Sequence, residues 1–137
     1  METRNIMIVG VGGQGSLLAS KFLGRLLMNA GYDVKVSEVH GMSQRGGSVV
    51  TYVRYGDKVS SPIIDKGGAD FIVSFELLEA ARWVSYLKKD GTIVVNTQQV
   101  DPMPVITGTA SYPENLVSKM TSLGIHVDAI DALATAE

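Results

Sequence analysis

Cysteine is absent from all 137 residues. That absence excludes a disulfide framework, a thiolate nucleophile, a cysteine zinc site and a cysteine-ligated iron–sulfur cluster on this chain. Histidine is scarce, with two residues, and they do not form a His-x-x-x-His pair. A basic block is missing as well. Twelve Lys and Arg residues are set against 14 Asp and Glu, giving a net charge of −2, so the electrostatic footprint of a nucleic-acid binder is not there. No apolar run reaches the roughly 18 residues that span a bilayer. The N-terminus shows no signal-peptide core followed by a small-residue cleavage site. Neither a membrane nor a nucleic acid is expected as a partner, and a cytoplasmic location is the expectation.

What remains is an ordinary globular composition, 45% hydrophobic and 19% charged, in a length that suits one domain over residues 1–137. The run from Asn5 to Val9 is apolar and ends at Gly10, as a central parallel strand would. Residues 16–30 read as a helix. Leu18, Phe22 and Leu26 recur at i, i+4 and i+8 beside Ala19, Leu23 and Leu27, predicting a broad buried face, with Lys21, Arg25 and Asn29 on the opposite stripe. Residues 33–39 and 48–55 are rich in β-branched residues and read as strands. The short loop between them cannot hold a parallel crossover, so they are expected to be antiparallel or in different parts of the sheet.

Further strands are expected at residues 71–75, 92–95, 105–109 and 125–130. Helices are expected at 76–88, at 112–120 and, as first turns, from residue 131 onward. Strands alternating with helices predict an α/β three-layer sandwich with a mostly parallel, mixed sheet and a Rossmann-like first strand–loop–helix.

Two glycine-rich loops carry the chemical signal. Gly10, Gly12 and Gly15 satisfy G-x-G-x-x-G between a strand and a helix, with Gly13 and Gln14 inside the loop. Glycine allows a tight turn, close approach to a phosphate and close helix–strand packing. The helix N-terminus behind it favours an anion, and Glu38 lies near where a ribose-binding acid would fall. Three features count against a dinucleotide: the Gly-Gly-Gln-Gly wording, a second glycine loop where a crossover helix belongs, and no room for a substrate domain. Packing glycines, an anion or cofactor contact, and a partner contact remain open.

The second loop runs His40-Gly41-Met42-Ser43-Gln44-Arg45-Gly46-Gly47. Ser43, Gln44 and Arg45 concentrate hydrogen-bonding groups after a strand. Arginine's planar fork suits a phosphate or carboxylate. His40 could shuttle a proton, although a lone histidine is more often a structural hydrogen-bonder. His126 falls in a strand and reads as structural. Nucleophile-elbow and P-loop patterns are missing.

Together the two loops resemble the gamma-type domain of the 2-oxoacid:ferredoxin oxidoreductases. The His40–Gly47 wording is most similar to the small subunit of the indolepyruvate branch. The likeness extends through residues 31–47, Ser61-Pro62, Phe75-Glu76, residues 86–92 and 95–98. Pyruvate and 2-oxoglutarate relatives share Arg45-Gly46-Gly47 but differ just before it, so they stand as the alternative, along with a free-standing Rossmann-like nucleotide binder. The resemblance implies a subunit that carries no cofactor of its own, helps close the active site and accommodates coenzyme A; the residues expected to contact a cofactor are Gly10, Gly12, Gly13, Gln14, Gly15, Ser43, Gln44, Arg45, Gly46 and Gly47. It also implies a larger partner holding thiamine diphosphate and iron–sulfur clusters, with electrons passed to ferredoxin. The resemblance further implies that the chain is shortened at its C-terminus.

Overall fold

The computed structural model describes residues 3–11, 15–40, 48–97, 99, 103–108 and 110–130. Six strands form one sheet: β1 (Arg4–Val11), β2 (Asp33–His40), β3 (Ser48–Gly56), β4 (Ala69–Ser74), β5 (Leu87–Asn96) and β6 (His126–Ile130). Their spatial order is β2-β3-β1-β4-β5-β6. β3 is antiparallel to both β1 and β2, whereas β1–β4, β4–β5 and β5–β6 are parallel. The sheet is mixed because the hairpin β2–β3 folds back, so β3 fills the place beside β1. The short loop before Ser48 excluded a parallel pairing, and of the two arrangements it left open the structure takes the antiparallel one.

The helices are α1 (Ser16–Asn29), α2 (Leu77–Arg82), α3 (Met103–Ile106) and α4 (Leu116–Ser122), with a 3₁₀ turn at Val84–Tyr86. Helix α1 lies on one face of the sheet and α2 and α4 on the other. Met7, Val9, Val50, Ile72, Ile93 and Val95 pack with Leu77 and Ala80 of α2 and Leu116 and Met120 of α4 in the main core. The alternate residues, including Ile8, Thr51 and Val53, are buried on the α1 face. A Cβ built on Gly24 of α1 would meet Val36 at 3.4 Å and Val34 at 3.9 Å, which seats this helix against β2. Moving from β1 toward β2 and from β4 toward β5 runs in opposite directions across the sheet. Right-handed crossovers therefore put α1 and α2 on opposite faces.

Several sequence expectations need correction. The stripe Leu18–Phe22–Leu26 is not the buried face of α1: these side chains are 74%, 66% and 50% exposed. Ser20 and Gly24 point inward instead, because small residues let the helix approach the sheet closely. The helix expected over residues 76–88 stops at Arg82, and after the 3₁₀ turn the chain enters β5 at Leu87. Gly91 therefore lies inside that strand rather than in a turn before it. A Cβ there would sit 3.0 Å from the Asp70 carbonyl and 2.6 Å from Leu87, at the register shift between β4 and β5. Residues 103–106 are helical, not extended. The helix expected from residue 112 begins at Leu116, with Asn115 in the left-handed region at φ 59°. The helical turns expected after residue 130 lie outside the described residues.

Candidate functional site

Both glycine loops leave from one edge of the sheet. Val11, the last residue of β1, pairs with Ser48, the first of β3, and His40, the last of β2, pairs with the next residue, Val49. The carboxyl ends of β1 and β2 are thus tied to consecutive residues of a single strand. The same edge holds the ends of β4, β5 and β6, since these run parallel to β1. Between β1 and β4 the winding direction reverses, and this switch point is where open α/β sheets place their ligands.

The sequence-derived site residues divide into two groups. Gly10 is part of β1 and pairs with Val49, so it belongs to the strand rather than to the turn. Gly15 is the N-cap of α1, in the left-handed region at φ 83°, a conformation that suits glycine. It supplies no side-chain cap, and the first turn of α1 carries no acid; the positive end of this 14-residue helix faces the switch-point edge. Gly12, Gly13 and Gln14, and Ser43, Gln44, Arg45, Gly46 and Gly47, lie outside the described residues. The backbone of His40 closes β2 at the edge; its side chain is also outside the description.

A buried polar network at this edge was missed by sequence reasoning. Ser48, where the second loop re-enters the sheet, donates its hydroxyl to the Glu79 carboxylate, 2.7 and 2.8 Å from the two oxygens. Arg82 lies 3.5 Å from the same carboxylate. Glu76 is the N-cap of α2, accepting from the Glu79 amide at 2.9 Å. The Tyr112 hydroxyl donates to the other Glu76 oxygen and accepts the Leu78 amide at 2.9 Å. Ser74 donates to the Glu76 carbonyl at 2.6 Å, and the Phe75 amide donates to the Val9 carbonyl at 2.9 Å. Burial makes each of these bonds costly to lose. The one available signal was Glu76-x-x-Glu79 straight after a strand, in the manner of a helix start.

The chemical content of the edge follows. Glu76 and Glu79 are both buried and both fully engaged, Glu76 by Tyr112 and backbone, Glu79 by Ser48 and Arg82. They hold the loop roots in place and fix α2; neither is a spare acid or base. Among the described residues no group of three His, Asp or Glu is placed to hold a metal ion. An open apolar hollow of about 140 Å³ sits beside the switch point, lined by Val73, Ser74, Phe75, Val94, Asn96 and Ile130. The described residues of this edge carry no self-contained catalytic machinery.

The opposite edge is a structural clamp. Asp70 accepts the Asn5 amide at 2.8 Å and Lys88 at 3.1 Å. Arg54 donates to the Ser61 and Ile63 carbonyls at 2.7 and 3.2 Å. Ser61-Pro62 therefore belongs to this clamp, away from the two loops. Asp33 accepts the Val59 amide at 2.7 Å and Lys35 at 3.1 Å, and the amide bond first, then Lys35, holds its carboxyl below the usual range. Among the described residues no helix is long and apolar enough to cross a membrane.

Comparison with known proteins places this architecture. The family model described as pyruvate ferredoxin/flavodoxin oxidoreductase matches residues 5–137. The chain is 51% identical over 113 residues to the indolepyruvate oxidoreductase subunit IorB of Pyrococcus horikoshii, covering 82% of this chain and 56% of that one. It thus spans little more than half the length of the curated relative. Among solved structures, the pyruvate oxidoreductase subunit PORC of Thermotoga maritima superposes with a TM-score of 0.69 at 22% identity, covering 96% of this chain and 64% of that one. A 2-oxoglutarate:ferredoxin oxidoreductase from Magnetococcus marinus, solved with 2-oxoglutarate, coenzyme A and succinyl-CoA bound, gives a TM-score of 0.68 at 18% identity over 99% of this chain and 21% of that one. These two likenesses concern the fold. The family model and the Pyrococcus relative concern descent, and on them the chain belongs to the pyruvate ferredoxin/flavodoxin oxidoreductase family.

Proposed function

We propose that this chain is the small-subunit domain of an indolepyruvate-type 2-oxoacid:ferredoxin oxidoreductase. The complete enzyme would oxidatively decarboxylate an arylpyruvate to an acyl-CoA and pass the electrons to ferredoxin. The observation that carries the reading is the 51% identity to a subunit named for indolepyruvate oxidation. The shared edge of the two glycine loops agrees with it.

Thiamine diphosphate and the clusters belong, in this reading, on a larger partner chain. Cluster chemistry of the ordinary kind needs cysteine thiolates, and this chain has none. The small domain would instead help close the active site and hold part of coenzyme A. Its anionic groups suit the N-terminal end of α1 at Gly15 and the guanidinium of Arg45. Ser48, gripped by Glu79, would anchor the loop that carries Arg45.

The test is reconstitution. The chain, the cognate larger subunit and their mixture are assayed with indolepyruvate, coenzyme A and a viologen acceptor. Activity confined to the mixture, with co-purification of the two chains, is expected. Viologen reduction by the small chain alone, or low-micromolar NADH binding to it by calorimetry, would overturn the reading.

A further inference from the structure

Helix α1 carries large apolar side chains on its outer face, although Leu23 and Leu27 are half-buried. Its small residues Ser20 and Gly24 are buried against the sheet, while Leu18, Phe22, Leu26 and Met28 are exposed, Met28 at 57%. A surface helix of a free-standing domain normally turns its large apolar residues inward. Single exposed apolar residues need no explanation, but three in a row at i, i+4 and i+8 form a continuous ridge, and such ridges mark contact surfaces. Gly24 faces β2, and the ridge falls on the far side of the helix from it, along the helix top.

The chemistry of what covers the ridge can be read from its flank. Lys21 and Arg25 are exposed beside it, and the helix sequence SLLASKFLGRLLMN contains no acid. A second copy of the chain meeting α1 with α1 would bring these cations together. That arrangement is unfavourable. A lipid surface is also a poor match, because interfacial helices carry a polar face dense in Lys and Arg, and α1 has two such residues in a chain of net charge −2. Opposite charge across an interface is the arrangement that steers and aligns protein partners.

The geometry points to the outer face of α1 as a docking surface for a protein partner. That partner presents an apolar groove or helix edged by carboxylates. In the oxidoreductase it is the larger subunit, so this inference rests on the function proposed above. Phe22, central in the ridge, is the anchor. Lys21 and Arg25 set orientation. The surface is distinct from the loop edge, because α1 lies over β1, β2 and β3 while the loops leave from their ends. The domain would then be held by one surface and deliver its loops with another.

Binding of the purified chain to the cognate larger subunit, followed by analytical ultracentrifugation or calorimetry, tests this. Phe22→Glu should weaken association at least about tenfold, as loss of a central aromatic anchor does. The far-UV spectrum and melting midpoint should not change. Leu18→Glu provides a second, independent lesion on the same ridge. Lys21→Glu with Arg25→Glu should weaken binding chiefly at low salt. Wild-type affinity in both ridge variants overturns the inference while leaving the proposed function standing. Failure of the wild-type chain to bind the larger subunit removes that function first, and this inference with it. Phe22-dependent self-association, or Phe22-dependent sedimentation with phosphatidylglycerol vesicles, would replace the partner with a second copy or a membrane.

Discussion

The two faces of the sheet are packed on different principles. On the α2 and α4 side, large side chains interdigitate: Met7, Ile72, Ile93 and Val95 from the strands against Leu77, Leu116 and Met120 from the helices. On the α1 side the helix buries Ser20 and Gly24, leaves Leu23 and Leu27 half-buried, and exposes Leu18, Phe22 and Leu26. The first face contributes most of the hydrophobic stabilisation, since that scales with apolar area removed from water. The second gives up packing volume and leaves its large residues available. One side of the sheet therefore stabilises the domain, and the other is shaped for contact.

That contrast can be broken by mutation. The largest effect is expected on the core face, where Ile72→Ala should cost about 2–5 kcal/mol, measured by urea unfolding. Glu76→Ala should cost about 2 kcal/mol, because it removes the α2 cap and the partner of Tyr112 together. A wild-type midpoint in that variant would show that the network is not needed for stability. On the α1 face the sign should reverse. The Thr51 hydroxyl is buried without a hydrogen-bond partner, so Thr51→Val should stabilise by about 1 kcal/mol. Gly24→Ala places its new methyl at an ordinary contact distance of 3.4 Å from Val36 and gains about 0.5–1 kcal/mol of helix propensity. Destabilisation there would mean that α1 sits more tightly than its small residues suggest. Smallest of all, Asp33→Asn should lower the melting midpoint slightly at neutral pH. A carboxyl held below its usual range stabilises the fold above the unfolded value and stops doing so as pH falls through the folded one. The difference between wild type and variant should therefore close in acid and nowhere else.

Much of the fold was legible in the sequence, for identifiable reasons. A short apolar run ending at glycine, such as Ile6–Val9, reads as a central strand, and the short loop between β2 and β3 rules out a parallel pairing. The errors also have causes. The spacing of Leu18, Phe22 and Leu26 points them inward because periodicity reports that a helix has an apolar stripe, but not what the stripe meets. Val84 and Leu87 continue the spacing of Leu77 and Ala80, yet they belong to a 3₁₀ turn and a strand; all four reach the same core by different backbones. Val105 and Ile106 are β-branched and suggested a strand, whereas Pro104 at the start of a short helix is equally at home. At the site, local glycine patterns marked the ends of β1 and β2. Ser48 and Glu79, 31 residues apart, and Glu76 and Tyr112, 36 apart, meet only through the tertiary fold, and no local pattern announces such pairs.

The antiparallel strand wedged between β1 and β2 also acts as a ruler. Neighbouring strands stand about 4.8 Å apart. Val11 and His40, where the two loops leave the sheet, therefore stand about 10 Å apart across β3, while Ser48, where the second loop returns, lies about 5 Å from Val11. Their alignment along the strand is locked by Val11 facing Ser48 and His40 facing Val49. Because β3 registers the end of β1 and both ends of the second loop at once, none of these three anchor points can slide along the sheet without breaking the same ladder.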